Sequence, residues 1–387
     1  MNKIEVYHFH NGMGGGVLSV IKNLFKYKVN DCLENHLIYT INKDVDPCYL
    51  LPDVDGATTV QVFYYSGKWN FYYTCKQLAK LLPDDKAVIV AHDWLELGMV
   101  SNLGLQNPVV QVLHGEYNYY YDLALSHENG IDAFITVADL IKNKLREMLF
   151  HRKNEIEYLR FPVPDCKCVE EKSIHYSIVF IGRYTKAKGY HLLPEIADMV
   201  EVMNVKLQWH IVGEQDESLM KEFPWSNKID IIFHGVLDNE AVHILLCEMH
   251  FFILPSAAEG MPVTLVEAMK AGVVPLVNDL PGGIQELIVN GETGFRVAGN
   301  SSELYAKHLC LLCAENSNIQ QVKLNAIQIA NNYFAPHENT EKYESVLLAV
   351  TKKKRHKLPR KIYGSRLDAP WLSNLVVKNI RKLISVK

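Results

Sequence analysis

Three features of the 387-residue sequence predict an α/β protein of two doubly wound halves, each a parallel sheet covered by helices. Short apolar runs alternate with amphipathic stretches, the pattern of a parallel sheet with crossover helices. The strand candidates are near-continuous Val/Ile/Ala runs, as expected of strands covered on both faces. The pattern breaks at Phe161-Pro162-Val163-Pro164-Asp165, passes through a mixed charged stretch to Lys172, and restarts. Two prolines in an extended segment between two αβ series mark a linker.

In the first half, Ile4–Phe9 is a strand and Val17–Tyr27 a helix. His36–Ile41 is the second strand, and Lys76–Leu82 lies in a helix. Ala87–Ala91, Val109–Leu113 and Ala133–Val137 are further buried strands, and Asp139–Leu149 is helical. In the second half the strands are Ser177–Ile181, Lys206–Val212, Ile229–His234, His250–Leu254 and Val273–Val277. Its helices are Gly189–Met199, Ala241–Cys247, Pro262–Ala271 and Gly282–Val289. The expected domains are 1–165, 166–350 and a tail at 351–387. Two αβα halves of similar size suggest a ligand held in a cleft between them.

Composition narrows the function classes. Hydrophobic residues at 48% and charged residues at 22% exclude wholesale disorder. No stretch approaches the roughly 18–20 apolar residues of a membrane span. The start, Met1-Asn2-Lys3-Ile4-Glu5-Val6, does not have the pattern of a signal peptide. The eight cysteines, including Cys166, Cys168, Cys310 and Cys313, are expected to be reduced, which suggests a cytoplasmic setting. The net charge of −4 argues against a nucleic-acid coat, but it is a sum of unlike parts. Residues 351–387 contain twelve Lys/Arg and one Asp, a net of +11, which leaves −15 for residues 1–350.

Two glycine-containing loops stand where strands meet helices. After the first strand comes Asn11-Gly12-Met13-Gly14-Gly15-Gly16. Glycines let backbone N–H groups approach an anion, and the helix N-terminus adds favourable partial charge, so Gly14, Gly15 and Gly16 are candidate phosphate contacts. The alternative is a tight turn without a ligand. The loop is not the dinucleotide fingerprint, because the third glycine would fall on Val17. In the second half, Pro255-Ser256-Ala257-Ala258-Glu259-Gly260-Met261-Pro262 leads into a helix bearing Glu267. One carboxylate therefore sits on the loop and the other about a turn and a half into the helix. Such an arrangement suits a diphosphate beside hydroxyl-rich sugars. Asp44-Val45-Asp46 and Asp53-Val54-Asp55 have the spacing of metal-binding acids but lie far from these motifs, so they are taken as loop acids.

This segment, with Pro281-Gly282-Gly283-Ile284-Gln285-Glu286 and Asn290-Gly291-Glu292-Thr293-Gly294-Phe295, resembles the retaining nucleotide-sugar glycosyltransferases of family four, the glycogen-synthase-like group 1 enzymes. Glu259 and Glu267 match that family's Glu-x7-Glu motif. Further matches are Phe180-Ile181-Gly182-Arg183 with Lys188-Gly189, His210-Ile211-Val212-Gly213-Glu214, and Phe233-His234-Gly235-Val236-Leu237. The resemblance covers most of residues 1–350. It implies the GT-B fold, two Rossmann-like αβα domains facing across a cleft.

The resemblance also implies roles. Arg183 and Lys188 would neutralise the nucleotide diphosphate and stabilise the leaving group. Glu267 would hold ribose hydroxyls, and Glu259 the donor sugar. Gly213, Glu214, Val236 and Leu237 would surround the base. Gly260, Met261, Pro262 and Val263 would line sugar and phosphate through the backbone. His114, at the end of Val112-Leu113-His114-Gly115, would contact the donor, against the alternative of a structural histidine. Val90-Ala91-His92-Asp93-Trp94 is a similar cluster, equally suited to support. Tyr117, Tyr119, Tyr120 and Tyr121 could stack on an acceptor or cover the core edge. The implied reaction is front-face transfer from a UDP- or GDP-sugar to a hydroxyl of a glycan or lipid-linked glycan, with no cofactor and no required metal. A nucleotide-sugar epimerase or hydrolase, and a catalytically silent sugar-nucleotide-binding protein, are the rival readings. Beyond the matched region, Lys352-Lys353-Lys354-Arg355-His356-Lys357 and an amphipathic helix over 370–384 suggest an anionic membrane surface as partner. Docking of that helix on the first domain is the alternative.

Overall fold

The computed structural model describes residues 3–45, 51–83, 85–166, 168, 175–314, 316–353 and 364–384, without the side chains of 316–318. Asp46, the end of the charged stretch at Lys172 and most of the basic run (354–357) lie outside the described residues. The chain divides into two compact units, 1–159 with 337–387, and 160–336.

The first unit is built on seven parallel strands: β1 (Ile4–His10), β2 (Leu33–Asn42), β3 (Thr59–Tyr65), β4 (Val88–Ala91), β5 (Val109–Leu113), β6 (Ala133–Thr136) and β7 (Ile156–Tyr158). Their order is β3-β2-β1-β4-β5-β6-β7. β4, β5 and β6 are buried at every position, as their continuous apolar sequences require. Helices α1 (Gly16–Lys26), α2 (Phe71–Ala79), α3 (Trp94–Leu103), α4 (Asn118–Ser126) and α5 (Asp139–Met148) connect them. α2 starts earlier than expected because Asn70 caps it, accepting from the N–H groups of Tyr72 and Tyr73. It ends before Lys80–Leu82, which form a turn.

The second unit has six parallel strands: β8 (Ser177–Ile181), β9 (Gln208–Val212), β10 (Asp230–Gly235), β11 (Phe251–Leu254), β12 (Val274–Asn278) and β13 (Phe295–Val297). Their order is β10-β9-β8-β11-β12-β13. Its helices are α6 (Leu193–Val202), α7 (Glu217–Glu222), α8 (Asn239–Glu248), α9 (Val263–Lys270), α10 (Gly283–Leu287), α11 (Ser302–Ala314) and α12 (Asn316–Tyr333). The core packs Trp209, Tyr184, Tyr190, Phe180, Phe251 and Tyr305. The linker region is pinned from inside this unit. The buried Lys270 ammonium donates to the carbonyls of Val163 (2.7 Å) and Phe334 (3.0 Å) and to Asp165 (2.9 Å). Burial pushes its pKa down, which Asp165 opposes.

Two sequence expectations need correction. Cys168 is disulfide-bonded to Cys247, 79 residues away at the end of α8, with the Cys166 sulfur 3.5 Å from Cys247; Cys310 and Cys313 are free, as expected. Sequence spacing held no sign of this pair, because the fold alone brings α8 beside the linker. The second correction concerns α13 (Pro336–Val350), expected with the second domain. From His337 onward it belongs to the first unit, where Glu344 accepts from the N–H groups of Val29 (3.0 Å) and Asn30 (2.8 Å) and Tyr343 is buried.

The C-terminal helix α14 (Asn374–Ile384) also packs on the first unit. Arg381 pairs with both oxygens of Asp368 at 2.9 Å, and Asp368 accepts from the N–H of Phe71. Lys378 lies 4.8 Å from the centre of the Trp69 ring, and Val377 is buried. Away from these contacts Leu375 is 72% exposed and Leu383 76%, and Trp371, just ahead of the helix, is 78% exposed. No helix among the described residues is long and apolar enough to cross a membrane.

Candidate active site

In the second unit the predicted residues gather at the C-terminal ends of the parallel strands, where open α/β sheets hold ligands. Backbone hydrogen bonds lace the ends of β8, β9 and β10 together. Gly182 N–H donates to Val212 O (3.0 Å), Tyr184 N–H to Glu214 O (3.1 Å) and Gly213 N–H to Gly235 O (2.7 Å). Arg183, Gly213, Glu214, Val236 and Leu237 thus lie on adjoining loops, and Arg183 and Val236 are exposed. Gly213 has φ +140°, and a Cβ there would lie 2.0 Å from the carbonyl oxygen of Gly182. Gly213→Ala is therefore expected to cost about 3 kcal/mol or more, because backbone must shift and the dihedral is strained. Urea unfolding checks this, and a variant as stable as the parent would contradict it.

β11 leads into the loop carrying Glu259. Beneath it, Asn278 donates to Ser256 O (2.7 Å), and the buried Tyr305 hydroxyl donates to Asn278 Oδ1 (3.0 Å). Ala257 N–H donates to Ala187 O (2.9 Å), tying this loop to the one after β8. The two loops meet in an ion pair: Lys188 Nζ lies 2.7 Å from Glu259 Oε1, with the carboxylate buried and the ammonium partly open. Gly260, Met261, Pro262 and Val263 follow as the buried N-terminus of α9, whose first N–H groups lack helical partners. Gly283 packs against this turn; a Cβ on it would meet Gly260 O at 2.1 Å. Glu267, in the second turn of α9, is buried, and His243 Nε2 from α8 lies 3.6 Å from its Oε1. His243 escaped the sequence reading because nothing in its local sequence sets it apart.

The remaining predicted residues, His114, Gly14, Gly15 and Gly16, belong to the first unit. Gly14 to Gly16 form the turn from β1 into α1, with Gly15 as N-cap. His114 follows β5, and behind it stand two histidines. His92 Nδ1 lies 2.8 Å from His114 Nε2, and His8 Nδ1 lies 3.0 Å from His92 Nε2. Burial holds all three neutral: His8 and His114 are lowered to about 3, and His92 falls well below the ordinary range. Asp93 and Glu96 form a capping box on α3. Glu96 is fully buried, and its pKa rises to about 8 through burial and the nearby Asp93. Tyr119 donates to Asp93, so this tyrosine supports the start of α3. A single strand-end histidine was legible in the sequence; the row behind it was not.

This architecture has known counterparts. The HepE protein of Anabaena, solved with UDP-glucose, superposes with a TM-score of 0.70 at 14% identity over 89% of this chain and 100% of its own. The pneumococcal O-GlcNAc transferase GtfA, solved with UDP and GlcNAc, gives 0.68 at 15% identity over 91% and 100%. The fold is GT-B. Residues 170–329 match the family of glycosyl transferases group 1, so the second unit carries a group 1 glycosyltransferase domain. The O-antigen biosynthesis glycosyltransferase WbnH of Escherichia coli is 27% identical over 268 residues, 68% of this chain and 71% of its own length. An uncharacterised 41.2 kDa protein from the cps region of Klebsiella pneumoniae is 22% identical over 296 residues, 76% of this chain. The chain spans 66% of that protein's length and 50% of that of a putative colanic acid biosynthesis glycosyltransferase, WcaL, of Salmonella typhimurium.

Proposed function

We propose that this chain is a retaining glycosyltransferase that moves a sugar from a UDP- or GDP-sugar to a hydroxyl of a glycan or lipid-linked glycan. The observation that supports it most is the Lys188–Glu259 pair beside the N-terminus of α9, with Glu267 one turn along the same helix. Lys188 and Arg183 stand on one loop, and the loop carrying Glu259, which Lys188 contacts, leads into the N-terminus of α9, an arrangement suited to a diphosphate. The UDP-bound state of the structural neighbours and the polysaccharide-biosynthesis names of the sequence relatives agree with this chemistry.

In this reading, Arg183 and Lys188 stabilise charge that builds on the departing diphosphate, which is where fixed cations lower a barrier most. Lys188 shares its ammonium between Glu259 and the phosphate, and Glu259 orients the donor sugar. Glu267 accepts from ribose hydroxyls, with His243 behind it. The leaving phosphate oxygen takes the acceptor's proton, so no protein base is assigned. His114 and Gly14 to Gly16 of the first unit are assigned as donor contacts in the same reading. Two fixed cations supply the charge neutralisation, and no metal is required. The test is sugar transfer from UDP- and GDP-sugars in excess EDTA, with the product's anomeric configuration read by NMR. Acceptor-dependent release of the nucleoside diphosphate, with retention in the product, is the expected result. Fast donor turnover without acceptor, or loss of activity in EDTA, would count against it.

The same reading places the protein at a membrane carrying its acceptor. α14 keeps its docked face through Arg381, Val377 and Lys378 and turns Leu375 and Leu383 outward beside Lys382, with Trp371 exposed just ahead of the helix. Apolar side chains rimmed by cations suit an anionic bilayer surface. Leu375→Asp with Leu383→Asp is expected to lower binding to phosphatidylglycerol vesicles at least tenfold without changing thermal stability. Vesicle sedimentation measures this, and unchanged binding would refute the membrane role.

A further inference from the structure

His8 and His92 have no part in the reaction as proposed, yet they continue from His114 in a hydrogen-bonded line. β1 supplies His8, the loop after β4 His92, and the loop after β5 His114, so three neighbouring strands fix the spacing. Each N···N contact, at 3.0 and 2.8 Å, requires one proton between its two nitrogens. A neutral imidazole has one N–H, so His92 must donate on one side and accept on the other. Only two arrangements keep both bonds. Either every Nδ1 bears the proton and His114 presents Nδ1–H, or every Nε2 bears it and His114 presents a bare Nδ1. The line changes as a whole.

The surroundings favour the first arrangement. At the deep end, His8 lines a cavity of about 20 Å³ with Asn35, Thr340, Tyr343 and Glu344, room for one water molecule. Asn35 and Thr340, which line this cavity with His8, carry N–H and O–H groups able to donate to a bare His8 Nε2, while Glu344 already accepts two backbone N–H groups. The other titratable groups around the line are His10, Asp93, Glu96 and Tyr120. His10 Nδ1 accepts from Gly12 N–H (3.1 Å), which fixes its tautomer separately. Glu96 Oε1 accepts from the backbone N–H groups of His92 (2.7 Å) and Asp93 (2.6 Å), which holds the loop bearing His92 in place.

We infer that His8 and His92 are positioning residues that hold His114 as the Nδ1–H tautomer, so that it offers a neutral donor to a phosphate or sugar oxygen. This rests on the reading of His114 as a donor-site residue. It is tested on the full chain by ¹⁵N-histidine NMR, in which two-bond proton–nitrogen correlations separate the tautomers and His114→Asn identifies the signals. The expected result is a single Nδ1–H tautomer at His114; an Nε2–H form or an averaged pair overturns the inference without need of any further variant. His92→Gln removes the partner of His114, whereas His92→Asn can place an amide where Nδ1 stood. The first is expected to mix the His114 tautomers and lower kcat/KM at least tenfold, and the second to restore most of both. An unchanged His114 tautomer in His92→Gln also overturns the inference. A shifted tautomer with unchanged turnover leaves the line intact and refutes the role of His114 in transfer.

Discussion

Replacing Lys188 with alanine is expected to lower kcat by about 10²–10³, the loss that follows removal of one preorganised group facing developing charge. Its ammonium sits on Glu259 at 2.7 Å, so the substitution also leaves a buried carboxylate without its cation. Lys188→Arg keeps the charge but not the compact ammonium, and is expected to recover only part of the rate. Arg183→Ala should fall in the same range, with less effect on stability, because Arg183 is exposed and Lys188 is not. Single-turnover rates with a fixed donor, beside a thermal melt of each variant, separate the two effects. A Lys188→Ala enzyme that is folded and retains full rate would remove the pair from the mechanism.

The second large effect is on stability against pH. His8, His10 and His114 have folded-state pKa values of about 3, 4 and 3, and His92 is lowered still further, all through burial. Below pH 6.5 the unfolded chain takes up protons that the folded chain refuses, so stability falls as pH falls. Each such group contributes a slope of up to about 1.4 kcal/mol per pH unit. Glu96 acts in the opposite sense: its folded pKa of about 8 means that folding takes up a proton between pH 4.5 and 8, and stability rises as pH falls. Glu344, raised by burial, acts with Glu96, and His127, lowered to about 4 by burial, acts with the row, so five such histidines stand against two carboxylates and prevail. Urea unfolding should show a loss of about 3 kcal/mol or more between pH 7 and 5. A flat profile across that interval would mean that the row is charged or open to water in the folded state.

The fold was legible because its strands are continuous apolar runs and its helices amphipathic. β3 was missed for the same physical reason. Thr59–Tyr65 lies at the sheet edge, half-exposed along its length, and its sequence does not read as a buried strand. α13 was assigned to the second half because it follows that half in sequence, whereas Glu344 and Tyr343 bind it to the first. In the site, the glutamates, Arg183, Lys188 and the glycine turns were legible because each stands at a strand end with a distinctive neighbour pattern. His243 behind Glu267, the row of His8 and His92, and the Cys168–Cys247 bond were not. Each joins residues from elements far apart in sequence, and a lone histidine or cysteine has no local signature of its partner. The charge split was legible at once. What the structure adds is that the described part of the basic tail packs on the first unit and still presents apolar side chains outward.

In the proposed function the strand ends of the second unit hold a nucleoside diphosphate between the Lys188 and Arg183 cations and the N-terminus of α9. Calorimetric titration of UDP, GDP and ADP into the full chain, with Lys188→Ala and Arg183→Ala alongside, tests it most directly. UDP or GDP should bind the parent without added metal, and each substitution should weaken binding at least tenfold. No binding of any of the three, or equal affinity in all three proteins, would contradict it.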